Sequence, residues 1–117
     1  MTEYVLLYRN TREASEEALG TPEKAKASLA RWRAWMDEMA AKGQLKSVGM
    51  ALQPAGSVVR VRRTVIDGPY AETKELVGGF SVIEARDLAH AAEIASGCPI
   101  LERGGSVEVR AVLALPG

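Results

Sequence analysis

The chain has 117 residues, 47% of them hydrophobic and 26% charged, with 15 basic residues balanced by 15 acidic ones. This length holds one core and no second domain, and folding it buries roughly 65% of the unfolded surface, enough without metal or disulfide staples. Neutrality removes the basic footprint of a nucleic-acid or anionic-membrane binder, and a single cysteine, Cys98, excludes an internal disulfide and any CxxC zinc or redox motif.

Met1-Thr2-Glu3-Tyr4 lacks the basic start and apolar core of a secretion signal, so a cytoplasmic location is expected. Residues 3–9 then read as a first strand. Tyr4, Val5, Leu6, Leu7 and Tyr8 are apolar on both faces, and Tyr4 and Tyr8, four apart on a period of two, share one of them. In an antiparallel sheet one face meets the core, so the second face needs another cover. Residues 10–20 are polar and acidic and read as a loop, with room for a helical turn around Glu13 to Leu19.

Thr21 as cap, Pro22 at the first helical position and Glu23 in the first turn start a strong helix. Ala25, Leu29, Trp32, Met36 and Met39 form its expected apolar stripe, Trp35 lies at the stripe's edge, and Gly43 ends the helix after about 20 residues. Residues 45–52 read as a strand running into the turn Gln53-Pro54-Ala55-Gly56. Residues 57–66 alternate, Val59 and Val61 against Arg60 and Arg62, a half-buried strand pattern that leaves a tight hairpin turn at Arg62-Arg63-Thr64 open, since the Asn-Gly or Asp-Gly such a turn prefers is absent. After Asp67 to Glu75, Gly78-Gly79 opens a strand over residues 80–84. These glycines suit a strand start or bulge and are no phosphate cradle, since no Lys-Ser/Thr or helix start follows. Asp87 caps a second helix with Leu88, Ala91, Ala92 and Ala95 on its apolar face, ended by Gly97 and Pro99. Cys98 reads as a small hydrophobe at that helix end. Val107, Val109, Ala111 and Leu113 alternate with Glu108 and Arg110 as the closing strand.

The order β-α-β-β-turn-β-α-β is that of an α+β, ferredoxin-like split βαβ sandwich, an antiparallel sheet with two helices on one face. The uncovered face then points to a homodimer. No apolar run reaches the roughly 18 residues of a membrane helix.

Asp67-Gly68-Pro69-Tyr70-Ala71-Glu72-Thr73-Lys74-Glu75, followed by Gly78-Gly79-Phe80, resembles the signature of the DGPF branch of the YCII-related family. Tyr70 stands where the branch usually has phenylalanine. The resemblance extends to Tyr4-Val5-Leu6-Leu7-Tyr8, the long helix, Gly49, Ser96-Gly97-Cys98-Pro99 and Gly105-Ser106-Val107-Glu108-Val109-Arg110. It implies a dimeric α/β barrel, two ferredoxin-like subunits joined through their sheets, with a cleft near the DGP turn. Members are mostly small-molecule binders or proteins without an assigned reaction. A few relatives modify rings, and some are linked to alternative sigma factors. Two departures stand out: the residues before the motif lack a hairpin glycine, and the one histidine, His90, is not in the loop after the first strand, where another branch has a His–Asp pair.

Asp67 has two readings: a turn acid that accepts backbone N–H groups, or a general base whose carboxyl is raised in a cleft. Tyr70 is a packing anchor or a hydroxyl at the pocket mouth. Tyr8 and Arg9, at the end of the first strand, are the other expected pocket residues. Thr73, Lys74 and Glu75 read as a solvated turn, Trp32 as core, and His90, some 200° from the apolar face, as a surface residue. No metal site, cofactor or nucleophile motif is expected. Two functions follow: a dimeric binding or accessory protein for a small molecule, or a cofactor-independent lyase or isomerase acting on a small aromatic or enolisable compound through Asp67.

Overall fold

The computed structural model describes residues 1–63, 65–68 and 75–116. Its elements are β1 (Thr2–Asn10), α1 (Arg12–Ala18), α2 (Pro22–Ala41), β2 (Leu45–Ala51), β3 (Gly56–Val59), β4 (Val65–Gly68), β5 (Leu76–Ala85), α3 (Leu88–Ala95) and β6 (Ser106–Ala111), with 3₁₀ turns at Val61–Arg63 and Pro99–Arg103. The main sheet runs β2-β5-β1-β6, every neighbouring pair antiparallel, while β3 and β4 form a two-stranded sheet of their own. Without that hairpin and α1, the order is βαββαβ with β1 and β5 central, compatible with a ferredoxin-like fold.

The alternation in β1 decides the layers. Tyr4, Leu6, Tyr8 and Asn10 are buried under the helices, whereas Val5, Leu7 and Arg9 are half-buried on the other face. Gly79, Ser81, Ile83 and Ala85 of β5 share the helix side with them. Leu6, Met39 and Ile83 are fully buried there, each worth about 1.5–3 kcal/mol in transfer from water. Tyr8, Trp32 and Trp35 pack edge-to-face with centroids 4.7, 6.0 and 5.9 Å apart. Such pairs add about 0.5–1.5 kcal/mol each beyond the area they bury.

The helix starts follow their caps: Thr21 Oγ1 accepts from the Lys24 N–H at 3.1 Å, and Asp87 Oδ1 from the His90 N–H at 2.8 Å. Three expectations are corrected. The acidic segment expected as a loop with a helical turn holds a full helix, α1, because Thr11 caps it through the Ala14 N–H at 3.1 Å and Glu13 sits in its first turn. With Ala18 as its one buried residue, α1 has no apolar period to read. The expected stripe of α2 holds at Ala25, Trp32, Met36 and Met39 but not at Leu29, which is 50% exposed, while Ser28 and Trp35 are buried beside it. In α3 the inward residues are Ala91, Ile94 and Ala95, while Leu88 and Ala92 are exposed.

The alternating stretch before the motif, open between one strand and a hairpin, is a hairpin. It folds back as a hairpin, β3 on β4, with Val59 opposite Val65 and a 3₁₀ turn whose Arg62 adopts φ 60°. An arginine in the left-handed region does here what glycine does in the usual tight turn.

β2 is irregular. Leu45 lies opposite Ile83, Ser47 opposite Val82 and Met50 opposite Phe80, so β2 carries two extra residues over this span. The second bulge holds Gly49 at φ 74°, where a side chain would overlap the Phe80 carbonyl oxygen. The expected bulge near Gly78 is present: Tyr8 pairs with Gly79 and Arg9 with Val77, leaving Gly78 as the extra residue.

Candidate functional site

The last residues of β1 lie between the start of β5 and the start of β6. Arg9 pairs with Val77 on one side and with Ser106 on the other. Its side chain projects to the open face of the sheet, Nη1 3.3 Å from Glu108 Oε1 and Nε 3.6 Å from Glu75 Oε2. Ser106 Oγ donates to Glu75 Oε2 at 3.2 Å, and Arg110 Nη1 lies 3.6 Å from Glu108 Oε2. The chain Ser106–Glu75–Arg9–Glu108–Arg110 alternates in sign and sums to zero charge. Its ion pairs are longer than the 2.7–2.9 Å of a tight charge-assisted bond, and half-exposed pairs of this kind contribute about 1 kcal/mol or less each. Such a network can exchange a partner for a polar ligand at small cost.

Glu75, Ser106 and Glu108 were not singled out from the sequence. Glu75 was expected to be a solvated turn residue, but it is half-buried and faces Arg9. The period of two would have placed Glu108 on the same face as Leu7, its partner in register, which is the one signal available beforehand.

The residues expected to form a pocket are only partly brought together. Tyr8, beside Arg9, points the other way, into the helix layer, against Trp32 and Trp35. Its hydroxyl is buried without a hydrogen-bond partner among the described residues; the Ser81 hydroxyl close to it donates to the Val48 carbonyl oxygen at 2.6 Å. Burial pushes the Tyr8 hydroxyl well above the usual phenol range. A buried polar atom left unbonded is costly, so Tyr8→Phe is expected to keep the fold and raise stability by up to about 1 kcal/mol, measured as a higher midpoint of urea unfolding. The backbone of Asp67 lies in β4, opposite Ser57. Its side chain, Tyr70 and the rest of residues 69–74 lie outside the described residues.

Two further residues are settled by burial. Cys98 is buried, and loss of solvation pushes its thiol up to about 12, so it stays protonated and inert at neutral pH. His90, expected on the surface, is half-buried: its Nδ1 accepts the Arg86 N–H at 3.1 Å, folding the ring back over the start of α3. It lines a half-open groove of about 310 Å³ with Trp35, Met39, Gln44, Ile94 and Gly97, on the helix side of the sheet. Gln44 directly precedes Leu45, which lies opposite Ile83, so this groove is at the other end of the sheet from Arg9. Among the described residues no three His, Cys, Asp or Glu groups converge to hold a metal ion, and no helix is long and apolar enough to cross a membrane.

Fold and site together define an α+β protein of ferredoxin-like architecture, with helices on one face of its sheet, no helix over the other among the described residues, and a polar network at one sheet end. The YCII-related domain matches residues 3–116, and the chain belongs to that family. A search of curated proteins returned no match.

Proposed function

We propose that this YCII-related protein, of the DGPF branch, is a homodimeric small-molecule-binding protein. Two copies join through the open faces of their sheets into an α/β barrel, and the ligand occupies a cleft at the Arg9 end. The observation that supports this reading is the second face of the two central strands. Val5 is paired with Val82 and Leu7 with Phe80, and Met50 of β2 lies beside Phe80. These side chains form a continuous apolar strip with no helix over it among the described residues. Charges frame the strip: Lys46 bridges Glu3 and Glu84 at 3.6 and 3.7 Å on one side, and the Arg9 network lies on the other. An apolar centre with a polar rim is the layout of a protein interface.

In this reading Arg9 supplies donors to the ligand. Asp67 and Tyr70 are the other residues this reading assigns to the ligand. Tyr8 contributes from beneath, its buried ring holding the strand end that carries Arg9. The test is one variant with two readouts. The wild type is expected to sediment as a dimer at micromolar concentration and to show thermal-shift hits in a screen of small aromatic and enolisable carbonyl compounds. Leu7→Asp places a charge in the centre of the strip and is expected to sediment as a folded monomer and to lose those hits. A monomeric wild type, or a Leu7→Asp protein that dimerises as before, would falsify the proposal.

A further inference from the structure

The groove on the helix side of the sheet is framed by the last turns of two helices. One wall carries Trp35, Glu38, Met39 and Lys42 of α2, whose spacings of three, one and three put them on a single helix face. The other carries His90, Glu93, Ile94 and Gly97, the same spacing on α3 continued just past its end. Its apolar part is the Trp35 ring, Met39 and Ile94, which belong to the core or pack against it. At about 310 Å³ it lies at the small end of ligand pockets.

Three polar groups in this groove have no partner among the described residues. The first is the Trp35 indole N–H. Trp35 is only 6% exposed, yet this N–H donates to no acceptor. A Cβ on Gly97 would stand 3.0 Å from Nε1, so the N–H edge faces the stretch of wall that the glycine leaves bare. The second is His90. Its Nδ1 accepts the Arg86 N–H, so the neutral ring carries its proton on Nε2, at the opposite edge. The third is the Glu93 carboxylate, which forms no ion pair, whereas Glu38 is held by Lys42 at 3.0 Å.

These groups specify their complement. A ligand that excludes water here has to offer acceptors to two N–H groups, because a buried donor left unbonded is costly. It also has to offer a cation to Glu93. A plain anion would meet that carboxylate and the negative ends of both helices, since Lys42 and Ser96 are their C-caps. A plain cation would leave both donors unbonded. We propose that the groove is a second ligand site, which takes a small apolar amino acid as its zwitterion. The ligand's carboxylate accepts from Trp35 Nε1 and His90 Nε2, its ammonium pairs with Glu93, and its side chain lies on Met39 and Ile94. The site is built within one chain, at the other end of the sheet from Arg9, so it needs neither the dimer nor the Arg9 cleft.

Calorimetric titration with L-leucine and L-methionine tests it. Both are expected to bind saturably at millimolar concentration or below. Leucinamide, which lacks the carboxylate, and isocaproate, which lacks the ammonium, are expected to bind at least about tenfold more weakly than leucine. Glu93→Gln, at an exposed position, keeps the fold and is expected to weaken leucine binding by a similar factor. Gly97→Ala, whose methyl crowds the indole N–H, is expected to do the same, and Glu93→Gln decides alone if that variant fails to fold. Leu7→Asp, which is expected to lose the ligand at the Arg9 end, is expected to bind leucine as the wild type does. Failure of both amino acids to bind overturns the inference, as does an analogue that binds as tightly as leucine. So does unchanged leucine binding in Glu93→Gln or in folded Gly97→Ala, or its loss in folded Leu7→Asp. None of these outcomes touches the sheet-to-sheet dimer or the Arg9 cleft.

Discussion

Gly49→Ala is expected to lower stability by at least about 3 kcal/mol and to detach β2 from β5. Two costs combine. A Cβ at φ 74° is strained by about 1–2 kcal/mol on its own. The same atom would overlap the Phe80 carbonyl oxygen and stand 2.6 Å from the carbonyl carbon, so the two strands cannot stay in contact. When β2 moves, Leu45 is drawn from the core and Ser81 loses its bond to the Val48 carbonyl, leaving a buried hydroxyl unpaired. Thermal unfolding is expected to show a midpoint at least about 10 °C lower. Gly43→Ala is the control. Gly43 also has a positive φ, of 70°, but nothing stands within 4 Å of its added methyl, so only the conformational cost of about 1 kcal/mol is expected. Equal losses at the two glycines would show that strain, rather than the closeness of β2 to β5, governs the site.

Trp35→Ala is expected to cost about 3–5 kcal/mol, and Leu29→Ala less than about 1 kcal/mol. Trp35 is 6% exposed and packs on Tyr8 and Trp32, so truncation leaves a large cavity between α2 and the sheet and removes two aromatic contacts. Leu29 is half in water already and has little burial to lose. Urea unfolding of the two variants at a common m-value measures the difference directly. The expected order is the reverse of a reading that puts Leu29 in the stripe and Trp35 at its edge.

That reversal shows where the fold was legible from the chain. Thr21-Pro22-Glu23, Gly43 and Asp87 act through hydrogen bonds three or four residues away, so α2 and α3 were readable from local sequence. The period of two in β1 and β6 was equally local, and it carried the antiparallel sheet, the open face and Arg9 at a strand end. α1 has good caps but almost no apolar face, and without periodicity its charges read as loop. The exact centre of α2's inward face was not legible, because Trp32 and Trp35 both suit an apolar stripe and both pack on Tyr8 of the sheet. The candidate site was less legible than the fold. Arg9 and Glu108 are 99 residues apart, and Glu75 reaches Arg9 only through the register of β5 on β1.

The sequence by itself determined family, fold class and the location of most helices and strands, including the motif that ends at Glu75. Those properties rest on caps, turns and periodicities that close within a few residues. Tertiary structure alone decided which side of β1 faces the helices, that Tyr8 and Arg9 diverge, that β2 bulges at Gly49, and that the stretch before the motif turns back into a hairpin. Each depends on what lies opposite in space. A side chain's neighbours across a sheet are set by register and layer packing, which no local spacing encodes.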